Sequence, residues 1–383
     1  MPVSKKSRTT QWGVGGFVAL LTVIPVMQIC MELSAGDRPQ CLELFSNLPV
    51  AEQRKAFAHA LQKDCRPVQA IRPWIQYARY RVLGELPDKA LAGPNGWLFY
   101  QPAVQYLVEP WPAPGSPAPT EILAAVKSFR DQLQDRGIEL MVMIAPNKAS
   151  VYADRLNPSA IGDRSNVNTQ TLVMMELLRE QGIEVMDLFN LFRQARTDRP
   201  DRDLYLAQDS HWSPTGMRLA AKAVAGRLVE LGWVQPVTPG RYTLKSVPIK
   251  RYGDVIEMVH VEQIAGCYEP EHLDCTQVIE ADGSVYRDDP HSTVLVMGDS
   301  FLRIYRRDEP KAGGFIEHVA YHLGLPLTGL VNDGGASTLV RQQVAGKHNI
   351  LKRKRVVVWE FVERDIRFGT EDWQIVTLPP QSG

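Results

Sequence analysis

Ser300 closes the run Gly298-Asp299-Ser300-Phe301, and His211 follows Asp209 in Asp209-Ser210-His211-Trp212-Ser213-Pro214. A serine hydroxyl is a poor nucleophile near neutral pH. It needs an imidazole to take its proton and a carboxylate to hold and charge-balance that imidazole. The two segments supply all three groups. If residues 209 to 211 are extended, positions i and i+2 project to one side, so Asp209 and His211 face one pocket. Gly-Asp-Ser alone is a common turn, and His211 alone reads equally as a neighbour of a helix cap. Taken together, Ser300, His211 and Asp209 form a candidate catalytic set suited to acyl transfer through an acyl-serine. No cysteine and histidine cluster suggests a metal, and no cofactor motif is present. His272, His291, His318 and His322 carry no motif and read as structural or exposed.

An α/β frame must position these groups. Thr293 to Met297 reads as a buried strand running into Gly298. Residues 138–145, 183–188, 325–331 and 355–361 read as further strands, separated by helices over 120–137, 166–181 and 213–231. Ser213 caps the last of these, with Pro214 in its first turn. Five strands alternating with helices predict a doubly wound parallel sheet with the site at the strands' carboxyl ends. Residues 233–292 break the rhythm. Asp282-Gly283 between Val278-Ile279 and Val285-Tyr286 signals a hairpin, so this is read as a partly β insertion in a domain spanning 120–365. Residues 36–119 form a lead-in: a helix over 48–84 with Pro67 in a first turn and a kink at Pro73, a short strand near 96–100, and a proline-rich linker. A tail, 366–383, completes the expected domain map.

The chain has 383 residues, zero formal net charge and 44% hydrophobic residues, enough for a large buried core. Neutral balance gives no footprint for nucleic acid. Lys352-Arg353-Lys354-Arg355 is read as the solvated edge of a strand. Residues 12–31 carry no charge and follow Lys5, Lys6 and Arg8. At about 1.5 Å per residue such a stretch crosses about 30 Å of hydrocarbon, and the preceding positive charge predicts a cytoplasmic N-terminus with an exported body. An uncleaved anchor over residues 1–35 is the preferred reading. A cleaved signal peptide ending near Leu33-Ser34-Ala35 is the alternative. Outside the span, Cys41, Cys65, Cys267 and Cys275 allow three pairings. A local Cys267–Cys275 bridge with Cys41–Cys65 as its complement is the expectation.

Gly298-Asp299-Ser300-Phe301 at a strand end resembles the nucleophile block of the SGNH esterase family. Asn332-Asp333-Gly334-Gly335 resembles that family's oxyanion block, and Asp209-Ser210-His211 its base block. The base block here precedes the serine, the order of a circular permutation. That order is similar to the alginate O-acetyltransferase family of AlgJ and AlgX. Gly96-Trp97-Leu98-Phe99, Ala145-Pro146-Asn147-Lys148 with Tyr152, and Trp359-Glu360-Phe361-Val362-Glu363-Arg364 add to the likeness, over roughly residues 90 to 365. The short tail resembles the membrane-anchored AlgJ branch more than AlgX.

The resemblance implies an exported, inner-membrane-anchored O-acetyltransferase with its catalytic domain in the periplasm. It also implies a membrane-bound O-acyltransferase as acetyl supplier and an exopolysaccharide as acceptor. A polysaccharide acetyl esterase and a non-catalytic polysaccharide-binding component of an export complex are the alternatives. For the oxyanion it implies the backbone of Ser300 and Gly334, with Asn332 beside them. The asparagine usual after the third strand is replaced by Glu363 and Arg364. Asn147 and Lys148, just past a strand end, suit substrate contact or a solvated loop. Arg364 suits an anionic sugar or a pair with Glu363. Tyr305, one helical turn past Ser300, is a candidate to border the pocket, with ordinary packing as the alternative.

Overall fold

The computed structural model describes residues 8–39, 65–87, 89–111, 117–157, 167–237, 240–333, 335–347, 349–368 and 372–380. The chain divides into two compact units, one of residues 1–85 with 261–266 and the other of residues 86–260 with 267–383.

In the first unit the helix Arg8–Ser34 contains, at Phe17–Ser34, the stretch among the described residues that is long and apolar enough to cross a membrane by length and composition. A second helix, Arg66–Leu83, starts with Pro67 in its first turn and passes through Pro73. Its start is tied to the end of the first helix. The Arg66 N–H donates to Gln28 Oε1 at 2.8 Å, and the Arg66 guanidinium donates to the Met31 carbonyl at 3.1 Å.

The second unit is built on five strands: β3 (Glu139–Ala145), β4 (Glu184–Met186), β7 (Val294–Gly298), β8 (Thr328–Val331) and β9 (Val356–Val362). They lie in the order β4-β3-β9-β7-β8, and every pairing is parallel. The central strands β9 and β7 are buried at every position, and apolar except for Glu360, because both faces are covered. Alternate residues feed two cores. Met141, Met143, Val296, Val356 and Val358 pack with Val224, Phe315 and Val319 of the helices Pro214–Glu230 and Phe315–Leu323. Leu140, Val142, Leu295, Val357 and Trp359 pack on the other side with Phe129, Leu178 and Val340, from the helices Pro119–Gln134, Thr169–Glu180 and Leu339–Gly346. This is the doubly wound sheet that the alternation predicts, with the base segment ahead of the nucleophile in the chain.

Two antiparallel pairs flank the sheet. One is β1 (Ala90–Ala92) with β2 (Leu98–Tyr100), and the other is β5 (Tyr242–Arg251) with β6 (Glu271–Glu280). The second pair lies within the expected insertion. The turn read at Asp282-Gly283 is present as an Ile279–Val285 bridge.

Three expectations are corrected. Cys275 is a buried free thiol, so the Cys267–Cys275 bridge is not formed. Its strand turns the side chain inward, opposite Val247, while Cys267 is exposed. Burial pushes the Cys275 thiol up to about 12. Cys65 is likewise a buried free thiol, which removes the complementary bridge, and Cys41 lies outside the described residues. Lys354 does not sit on a solvated edge. Its aliphatic stem is buried, and the ammonium donates to the carbonyls of Pro290 at 2.8 Å and Ser292 at 2.6 Å.

Candidate active site

The chain leaves β7 through a position where only glycine fits. A Cβ on Gly298 would sit 2.3 Å from Glu360 Oε2 and 2.8 Å from the Glu360 carbonyl oxygen. Asp299 then caps the short helix Ser300–Arg303, its Oδ1 accepting the Phe301 N–H at 2.8 Å. Its Oδ2 accepts the Val362 N–H at 3.1 Å, which ties the turn to the end of β9. The fully buried Glu360 accepts the Asp299 N–H at 3.0 Å. Burial, then the Asp299 charge, pushes the Glu360 carboxyl well above the usual range. Ser300 is half-buried while Asp299 and Phe301 on either side are buried, so its hydroxyl lies at the open side of the turn.

His211 comes from the connection between the helices Leu188–Asp198 and Pro214–Glu230. A Tyr205–Trp212 bridge closes this loop, and Ser213 Oγ caps the following helix by accepting the Gly216 N–H at 3.2 Å. Trp212 stacks on Phe315 at 5.6 Å and meets the edge of Phe301 at 5.0 Å. Within the loop the backbone bends instead of extending. Asp209 Oδ1 accepts both the His211 backbone N–H at 3.0 Å and Nδ1–H at 2.7 Å. Asp209 and His211 therefore meet through an Asx-type turn and not through the pleat of a strand. With Nδ1 donating to Asp209, Nε2 is left to accept. It lies 2.8 Å from Ser300 Oγ. Folding thus brings Ser300, His211 and Asp209 into one hydrogen-bonded chain from positions 89 residues apart.

Charge inside this chain is arranged around the imidazole. Burial opposes ionisation of His211, but the adjoining Asp209 carboxylate, with Asp254, outweighs it and holds the imidazole above its ordinary value of 6.5. Burial also opposes the Asp209 carboxylate. His211 and Arg251 win there and hold it well below the usual range. Arg251 Nη2 donates to Asp209 Oδ2 at 3.0 Å, and the Asp254 N–H donates to the same oxygen at 3.1 Å. Arg251, Asp254 and Glu271 escape sequence reasoning. Arg251 and Glu271 belong to the β5–β6 pair and Asp254 starts the short helix Asp254–Glu257 in its connection; their one trace is a glycine, Gly253, between Arg251-Tyr252 and Asp254. Asp209, His211 and Asp254 hold three possible metal-ligand atoms within 4.8 Å of one another. Four N–H donors already occupy Asp209, and Arg251 already supplies a cation.

Lys148 is not a substrate contact. Its ammonium is buried and donates to the carbonyls of Leu98 at 2.6 Å, Ala207 at 2.7 Å and Asp209 at 3.1 Å. Burial brings its pKa down to about 7. The rings of Trp97 and Phe99 wall it in at 4.6 and 5.1 Å, which gives the Gly96-Trp97-Leu98-Phe99 segment a purpose. Tyr305 does not border the site. It is fully buried, with its hydroxyl donating to the Trp212 carbonyl at 3.1 Å.

Asn147 is buried at the end of β3. Its backbone N–H donates to Glu363 Oε2 at 2.8 Å, and neither amide atom of its side chain has a hydrogen-bond partner. Glu363 is committed inward to Asn147, Ser150 and Thr171, so it does not pair with Arg364. Arg364 instead stands over the Tyr100 ring at 5.1 Å, half-buried, and its charge reaches His211. The Asn332 backbone N–H is spent on the Gly298 carbonyl at 2.9 Å. Gly334 lies outside the described residues.

A family model described as the SGNH hydrolase-like domain of the acetyltransferase AlgX matches residues 90–363. The alginate biosynthesis protein AlgX of Pseudomonas aeruginosa is 22% identical over 245 residues, which is 62% of this chain and 49% of that protein. The probable alginate O-acetylase AlgJ of Azotobacter vinelandii is 23% identical over 300 residues, 74% of this chain and 71% of that protein. The match thus spans about half of the AlgX relative. Among solved structures, the O-acetyltransferase domain of Pseudomonas putida AlgJ superposes with a TM-score of 0.56 at 20% identity, covering 74% of this chain and 93% of that one. Pseudomonas aeruginosa AlgX gives 0.54 at 21% identity, covering 74% and 63%. At these identities the superpositions speak to the fold.

Proposed function

We propose a function from the premise that this chain belongs to the AlgX family of SGNH hydrolase-like acetyltransferase domains. It is an O-acetyltransferase that moves acetyl groups onto hydroxyls of an exopolysaccharide, alginate or a related polymer, through an acetyl-Ser300 intermediate. The observation that carries this reading is the 2.8 Å contact of Ser300 Oγ with His211 Nε2, backed by the 2.7 Å contact of Nδ1 with Asp209.

The reaction runs in two halves. His211 Nε2 takes the Ser300 proton as Oγ attacks the carbonyl carbon of an acetyl donor, and Asp209 stabilises the imidazolium that forms. The imidazolium returns the proton to the departing oxygen or sulfur, leaving acetyl-Ser300. A sugar hydroxyl then gives its proton to Nε2, attacks the acetyl carbon and leaves as the ester, and Ser300 regains its proton. The N–H groups of Ser300 and Gly334 receive the oxyanion, each worth about 3 to 4 kcal/mol. Arg364, half-buried beside the site, contacts the acceptor.

The body over residues 120–365 carries the chemistry, with residues 1–35 as a single-pass anchor in a bacterial inner membrane and the catalytic domain in the periplasm. The apolar helix over residues 17–34 supports this placement. Acetyl-coenzyme A is a cytoplasmic donor, so a membrane-bound O-acyltransferase hands acetyl across. The anchor keeps the two in reach by raising effective concentration.

The test is intact-mass and peptide mass spectrometry after incubation with a chromogenic acetyl ester. Acetyl on Ser300, absent in Ser300→Ala, is expected. Transfer of that acetyl to an alginate oligosaccharide separates a transferase from an esterase, which releases acetate only. No covalent acetyl and no turnover would overturn the reading.

A further inference from the structure

The imidazole edge that faces Asp209 faces a second carboxylate as well. Asp254 Oδ2 lies 3.5 Å from His211 Nδ1, the atom that Asp209 Oδ1 holds at 2.7 Å. We propose that Asp254 is a positioning residue that shares the His211 imidazolium with Asp209, so that the β5–β6 insertion sets the basicity of the site. This rests on the reading of His211 as the base for Ser300.

The contact is built, not incidental. Gly253 brings the backbone of 253–254 so close to the base loop that a Cβ there would lie 2.1 Å from the Gln208 carbonyl oxygen. Ser210 donates twice to Asp254, its N–H to Oδ1 and its hydroxyl to Oδ2, both at 2.6 Å. The Asp254 N–H returns a bond to Asp209 Oδ2. At the same end of the strand pair, where its connection begins and ends, Glu271 lies opposite Arg251 in register and accepts the N–H groups of Ala207 and Gln208, both at 2.8 Å. The strand pair and its connection therefore hold residues 207 to 210, the run that leads into His211.

The charges facing this pair come from four directions. Asp209 and His211 lie on the loop, Arg251 and Glu271 on the hairpin. Lys148 interacts with both carboxylates from beyond β3, and Arg364 interacts with His211 from beyond β9. Asp308 reaches the group through Arg251 Nη1 at 3.9 Å. With His211 neutral, two carboxylates crowd one site, and Coulomb repulsion favours a proton on one of them. Burial, then the Asp209 charge, accordingly pushes Asp254 up to about 6. When His211 takes the Ser300 proton, both carboxylates gain a cation between them. Asp254 then stabilises the state the reaction passes through.

The experiment is an NMR titration of the His211 imidazole in full-length protein carrying Ser300→Ala, which needs no turnover, with and without Asp254→Asn. The amide keeps an oxygen for the Ser210 N–H and removes the charge. The His211 pKa is expected to fall by roughly one unit, the scale of one nearby carboxylate, and Asp254→Glu to restore most of it. In protein with Ser300 intact, the acid limb of acetyl-ester kcat/KM is expected to move down in step, with KM unchanged. A folded Asp254→Asn chain with an unmoved His211 titration overturns the proposal. If that variant does not fold, the parent titration decides. Two inflections, one near Asp254's own value, support the sharing, and a single-site curve overturns it. Failure to acetylate Ser300 would instead overturn the acyl-transfer reading and leave the imidazole result standing.

Discussion

The Lys148 ammonium donates to the backbone carbonyl of Asp209 at 3.1 Å, joining the end of the β3 connection to the loop that carries the acid and base. The same nitrogen holds Leu98 and Ala207, so one buried cation fastens three segments that meet behind the site. Lys148→Met keeps most of the volume but strips a donor from three carbonyls, of which Ala207 retains the Leu98 N–H at 2.8 Å. Orphaned buried acceptors cost about 1 to 3 kcal/mol each. A loss of about 2 to 4 kcal/mol in urea unfolding is expected, together with a lower kcat for acetyl-ester turnover. An unchanged midpoint would mean that the loop is held by other contacts.

Gly298→Ala tests the turn before the nucleophile. The added methyl meets Glu360 Oε2, the Glu360 carbonyl oxygen and Leu302 Cδ1, the last also at 2.8 Å. Neither strand can retreat, because β7 and β9 are hydrogen-bonded along their length. Overpacking of this kind costs about 1 to 3 kcal/mol. Thermal melts of the variant should show that loss, and its acetyl-ester activity should fall further than its stability, since Ser300 is two residues away.

Glu360 offers the opposite outcome. An amide matches a protonated carboxyl in shape, and its oxygen accepts the Asp299 N–H as Glu360 Oε2 does. Glu360→Gln is expected to leave stability within about 1 kcal/mol of the parent near neutral pH. A large destabilisation in the same melts would show that Glu360 is ionised in the folded chain.

The acid limb of activity follows from the sign of the His211 shift. Protonated His211 cannot accept the Ser300 proton, so turnover disappears as pH falls through the imidazole pKa. That value is raised in the folded protein, so the limb should be centred above the ordinary 6.5. A kcat/KM profile for a chromogenic acetyl ester measures it directly, and a midpoint below 6.5 would contradict the arrangement of Asp209 and Asp254 around the ring.

Much of this protein is legible without coordinates because its signals are local. Continuous apolar runs such as Val356 to Trp359 are what a strand covered on both faces requires, and they lead to a parallel sheet. Ser213 followed by Pro214 starts a helix by the chemistry of its own backbone. Gly298-Asp299-Ser300 marks a tight turn because glycine alone tolerates the approach of β9. The pairing of His211 with Asp209 is also local, two residues apart, although a bend and not a strand performs it.

What tertiary structure alone decides is the fate of polar groups whose partners are distant in the chain. Lys354 reads as solvated and Lys148 as a substrate contact or a solvated loop residue, yet carbonyls 50 to 64 residues away make their burial tolerable. Cys275 reads as half of a bridge from its spacing, but the orientation of one strand turns it into the core. Asp254 carries no sequence signal of its own. It becomes part of the site because Gly253 lets two backbones close on each other, and no spacing rule records a contact made across 44 residues.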